Sequence, residues 1–112
     1  MARMKIIQIQ GSVLVPIEKI TNNVRIAVNK ICLGIDDMQL LGNKALVVRA
    51  EIFPNKLTLL YSSLASIGVK LSQENLPDID ALDEKLEYPL SIQIIGFSND
   101  TDRKISVPNV PG

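Results

Sequence analysis

Residues 44–68, KALVVRAEIFPNKLTLLYSSLASIG, constrain the fold more than any other stretch, because the spacing of their apolar side chains changes midway. Leu46, Val48, Ala50 and Ile52 alternate with Ala45, Val47, Arg49 and Glu51. A period of two predicts a strand with the first set turned to a core. The second set begins apolar and ends charged, as on a face that emerges into water or onto a partner. Pro54 fixes φ and removes a donor, which suits a strand end or the first turn of a helix, and Asn55 is placed to cap the next turn. From there Leu57, Leu60, Tyr61, Leu64 and Ile67 fall on one helical stripe. Gly68 comes next, where a helix takes a left-handed residue to stop.

Residues 4–33 read as a second unit of the same kind. Ile7, Ile9, Val13 and Val15 alternate with Gln8, Gln10 and Ser12 in a strand. Gly11 falls on the apolar side, at a bulge or under a closely packed helix. Pro16 ends that strand. Ile17, Ile20, Val24, Ala27 or Val28, and Ile31 form the stripe of a helix over 17–33, which Gly34 is placed to terminate. A short strand over 37–41 and a two-residue Gly42-Asn43 turn make a hairpin with strand 46–53.

Val69 and Leu71 alternate with Lys70 and Ser72 in a short fourth strand. Pro77 and Asp78 open a short helix with Ile79, Leu82 and Leu86 inward, and residues 88–98 form a further strand. Residues 1–98 are therefore expected to form one α+β domain, and residues 99–112 an irregular tail in which Ile105 and Val107 suit an edge strand. The element order predicts a ferredoxin-like βαββαβ sandwich, with both helices on one face of an antiparallel sheet. The added short helix and C-terminal strand would extend it, the extra strand at an edge. The same elements in another strand order are the rival topology.

Composition limits the chemistry. The chain has 112 residues, enough for one domain with a real core. Apolar residues make up 46% and aromatics 4%, so the core is built from Ile, Leu and Val. Histidine is absent, which removes Ser-His-Asp and Cys-His catalysis from this chain and the commonest zinc ligand. Cys32 is the single cysteine; no intrachain disulfide can form, and a thiol near a helix C-terminus among apolar neighbours reads as core. No P-loop and no G-x-G-x-x-G motif occurs. Arg3 and Lys5 precede an apolar run, but polar residues interrupt it and no cleavage site comes after it, so the run reads as strand. No stretch is long and apolar enough to span a bilayer, and a cytoplasmic protein without cofactor or metal is expected.

Lysine plus arginine equals aspartate plus glutamate, 12 each, so nothing draws the whole chain to nucleic acid or an anionic membrane. An RNA-binding sheet needs interleaved aromatic and basic residues, and only Phe53, Tyr88 and Phe97 stand in or beside strands. The charges are nevertheless uneven. Residues 74–87, ENLPDIDALDEKLE, hold six acids and one lysine. An EF-hand is ruled out, since no glycine is present and Ile79 and Leu82 interrupt the ligands. The ordinary meaning of such a run is a solvated, solubilising face.

Its functional meaning is a docking patch of Asp78, Asp80, Asp83, Glu84 and Glu87, with Arg49 on the neighbouring strand face, that meets a basic protein. This predicts a non-enzymatic protein-binding module, for example of the inhibitor or immunity type. A second expectation comes from Ile6, Leu14, Val47, Ile95 and Phe97, which fall opposite the core-facing set. An apolar sheet face of that kind predicts a homodimeric ligand-binding or regulatory domain that associates through its sheet, unless the tail covers it. A small enzyme using carboxylates with Tyr61 or Lys70 is the third reading, and no spacing singles those residues out.

Overall fold

A computed structural model describes residues 5–74 and 76–97. Five strands, β1 (Ile7–Ser12), β2 (Ile35–Leu41), β3 (Ala45–Ile52), β4 (Lys70–Leu71) and β5 (Tyr88–Ile95), form one sheet in the order β2-β3-β5-β1-β4. Helices α1 (Thr21–Ile31) and α2 (Leu57–Ile67) connect β1 to β2 and β3 to β4. The α+β class and the two strand–helix units agree with the sequence reading.

The strand order differs from the ferredoxin-like one. There, the two inner strands of the split units lie side by side; here β5 stands between β1 and β3. It runs parallel to β1 and antiparallel to β3, so the sheet is mixed rather than antiparallel, and the last strand is central rather than at an edge. The reason lies in its side chains. YPLSIQII carries no charge, and Tyr88, Leu90, Ile92 and Ile94 are all buried. An edge strand needs charge to discourage further pairing. The two actual edges have it: Asp36 and Asp37 on β2, and Lys70 on β4.

One face of the sheet carries the core. Ile7 and Ile9, Leu46 to Ile52 at alternate positions, and Leu90 to Ile94 pack against Val24 and Val28 of α1 and Leu57, Leu60 and Leu64 of α2. Burial of branched aliphatic side chains at about 25 cal/mol per Å² is the main favourable term in such an interior. Val15, assigned to the core face by its alternation, is exposed, because the chain leaves β1 after Ser12.

Local details reflect the chain's punctuation. Pro16 precedes a 3₁₀ turn, Ile17–Lys19, before α1 begins, so the expected single helix is two pieces. Helix α1 stops at Cys32, which turns extended with φ −90° and ψ 176°, and Leu33 N–H donates to Glu51 O at 2.8 Å. Gly34, the expected terminator, lies beyond that point. Pro54 opens a 3₁₀ turn, Pro54–Lys56, and Asn55 makes no capping hydrogen bond.

Gly68 does end α2: at φ 110° it gives its N–H to Ala65 O while Val69 N–H reaches Leu64 O, each at 3.0 Å. That bond pair is a Schellman cap. The β2–β3 hairpin pairs Leu41 with Ala45, so its loop has three residues, 42–44, rather than two. Gly11 is packed closely, though by the arrival of β4 and not by a helix. A methyl on it would lie 2.7 Å from Val69 Cγ1 and 3.0 Å from Lys70 O. The expected tail, 99–112, and its edge strand at Ile105 and Val107 lie outside the described residues.

Candidate functional site

The acidic stretch is only briefly helical. A 3₁₀ turn, Ile79–Ala81, opens with Asp78, whose Oδ1 accepts the Asp80 N–H at 3.2 Å. Ile79 and Leu82 pack on the core as expected, but Leu86 is 44% exposed. A helix fails to continue because Leu82 turns extended at ψ 149°. The next turn is built differently: Asp83 O accepts the Leu86 N–H, and Asp83 Oδ1 accepts the Lys85 N–H, both at 3.0 Å. Short aspartate side chains bond to their own backbone more readily than they sit inside a helix.

Tyr88 ties this loop to the sheet. Its hydroxyl accepts the Asp83 N–H at 2.8 Å, and the ring is buried across from Ile52 of β3. The carboxylates therefore hang on a frame with three fixings: Ile79, Leu82 and the Tyr88 hydroxyl.

All five proposed acidic residues are exposed, but they do not form one site. Asp80, Asp83 and Glu84, with Lys85, rim a groove of about 520 Å³ whose floor includes Ile79, Leu82 and Pro54. Asp78 instead borders a depression of about 380 Å³ beside Lys5, Ile6 and Gln8. Glu87 borders neither. Arg49 lies outside the acidic groove, on the sheet face that the helices leave open, and borders a depression that shares Ile6 and Gln8 with the one beside Asp78. Among the described residues no cluster of three or more acidic, histidine or cysteine side chains is arranged to hold a metal ion.

That open face is ordered in rows by the strand register. One row runs Asp37, Arg49, Ser91, Gln8; the next Gln39, Val47, Gln93, Gln10; the third Leu41, Ala45, Ile95, Ser12. It is polar at one end and apolar at the other. Leu14, 88% exposed, and Phe97 extend the apolar end, where Phe97 N–H donates to Val15 O at 3.0 Å. At the polar end Asp36, Asp37, Arg49, Gln8 and Ser91 border a depression of about 460 Å³. Sequence reasoning alone does not single out Asp36 and Asp37. Two adjacent acids inside an otherwise apolar strand pattern are the available signal, since such a pair breaks the alternation.

Cys32 and Tyr61 carry no visible chemistry. Burial pushes the Cys32 thiol up to about 11, away from the reactive thiolate. Burial also raises the Tyr61 hydroxyl, whose Oη has no hydrogen-bond partner among the described residues. Lys70 is exposed on the β4 edge.

No helix among the described residues is long and apolar enough to cross a membrane. Comparison of the chain with protein families, curated proteins and solved structures finds no match.

Proposed function

We propose that the protein is a non-catalytic binding module that docks a basic protein through the groove rimmed by Asp80, Asp83 and Glu84, in the manner of an inhibitor or immunity protein. The observation that carries this reading is the make-up of the groove: carboxylates at its rim and the apolar Ile79, Leu82 and Pro54 below them. A lysine or arginine fits such a surface, laying its aliphatic stem on the floor and its charged head among the acids. The Tyr88 anchor supports it further, because a rim already held in place loses less conformational freedom on binding. Asp78 and Glu87 stand outside the groove and would add long-range attraction, which acts on association rate.

The test is affinity capture from the native host with the parent chain and with Asp80→Lys/Asp83→Lys/Glu84→Lys. The expected result is a partner rich in surface lysine or arginine, retained by the parent, released as salt rises, and lost with the triple variant. Equal retention by the folded triple variant would overturn the reading.

A second reading, a domain that self-associates through its sheet, is favoured by the exposed Leu14, Ile95 and Phe97 at the apolar end of the open face. Light scattering then gives twice the chain mass, returning to the single-chain value in Ile95→Lys. A parent protein that stays at the single-chain mass over the concentration range removes it.

A further inference from the structure

The polar end of the open sheet face has a local irregularity that pairing alone does not require. In the β2–β3 ladder Ile35 stands opposite Ala50 and Asp37 opposite Arg49, so Asp36 is an extra residue. Such a bulge sets two side chains against one on the partner strand and changes where they point. Here the unpaired residue is Asp36, beside the Asp37–Arg49 pair, and all three border the same depression of about 460 Å³. An ordinary cross-strand ion pair needs one carboxylate for one guanidinium. This arrangement supplies two, and leaves one negative charge over. Ser91 and Gln8 continue the Asp37–Arg49 row with a hydroxyl and an amide, and Ile6 and Pro89 supply apolar walls.

From this geometry we infer that the β2 bulge forms a small-molecule site for a zwitterion of the amino-acid class, its carboxylate held by Arg49 and its ammonium by Asp36 and Asp37. Guanidinium binds carboxylate through two parallel N–H···O bonds, whereas the ammonium has three donors to share between two aspartates. The depression falls within the roughly 300–1,000 Å³ typical of ligand pockets. Its openness to water sets the expected affinity at about millimolar. The site is separate from the acidic groove and does not depend on it.

The test is an amide NMR titration with L-glutamine, L-lysine and L-glutamate, and with butylamine and butyrate as probes bearing one charge each. At least one amino acid is expected to give saturable shifts at Gln8, Arg49 and Ser91, with neither single-charge probe saturating. Arg49→Gln, and separately Asp36→Asn/Asp37→Asn, should each weaken that binding about tenfold or more. Asp83→Asn, in the acidic groove, should leave it unchanged. These positions are exposed, so an otherwise unaltered amide spectrum verifies the fold of each variant. Absence of saturation with all three amino acids overturns the inference. So does equal binding of butylamine or butyrate, or binding that survives both sets of substitutions.

Discussion

The backbone N–H of Asp83 donates to the hydroxyl of Tyr88 at 2.8 Å, across five residues of chain, and couples the acidic loop to the central strand. The ring of Tyr88 is buried whether or not the bond exists, so the hydroxyl can be removed without opening a cavity. Tyr88→Phe should cost about 0.5–1.5 kcal/mol in urea unfolding, the usual net worth of one such bond. The Asp83 amide should exchange with solvent markedly faster while the β3 and β5 amides keep their protection. Unchanged exchange at Asp83 would show that Ile79 and Leu82 hold the loop unaided.

Gly11 of β1 lies close against Val69, with no room for a side chain between them. A Cβ at position 11 would stand 2.7 Å from Val69 Cγ1, closer than such atoms tolerate, and Lys70 O at 3.0 Å blocks escape. Gly11→Ala should destabilise by about 1–3 kcal/mol, the usual cost of overpacking. In Gly11→Ala/Val69→Ala the methyl would occupy space that the valine vacates. The pair should therefore cost less than the sum of the single changes, as measured by a double-mutant cycle in urea. Strict additivity would mean that the clash is relieved by movement of β4 instead.

These two contacts also show what could be read from the sequence. The periodicity of residues 44–68 located β3, α2 and the cap at Gly68, because burial on one face imposes a period and the end of a helix imposes a conformation. Strand order was harder, since it depends on which side chains tolerate an edge. The uncharged YPLSIQII and the acidic start of β2 contained that information, but only when compared with one another. The acidic loop was visible as composition, while its shape was not. Asp78 and Asp83 bond to nearby backbone, and Leu82 turns extended, which charge counting does not reveal. The bulge at Asp36 is hidden in the sequence for a similar reason. It becomes recognisable through the register with Arg49, a relationship between residues far apart in the chain.

At Gly68 the backbone sits at φ 110° and ψ 7°, where a Cβ brings strain although nothing crowds the position from outside. Gly68→Ala should lower stability by about 1 kcal/mol or more. The loss should appear as a lower urea midpoint with an unchanged slope, because the folded core keeps its size. A neutral or stabilising result would mean that the Schellman turn re-forms with another residue in the left-handed position.

Cys32 gives the clearest pH signature. Burial raises its thiol from an ordinary 9.0 to about 11. Between those values the unfolded chain releases the proton while the folded chain retains it, so unfolding becomes more favourable as pH rises. The thiol's contribution to stability is therefore complete below about pH 9 and is lost progressively towards pH 11. Lysines and tyrosines titrate in the same range, so the diagnostic quantity is the difference between two slopes. Plotted against pH, the urea stability of the parent should fall more steeply than that of Cys32→Ala between pH 9 and 11. Below that window the two curves should run parallel. The folded parent should also react slowly with a thiol reagent at pH 8, and reach the rate of a free thiol only in denaturant. Parallel curves throughout, or rapid labelling of the folded protein, would place the thiol in contact with water.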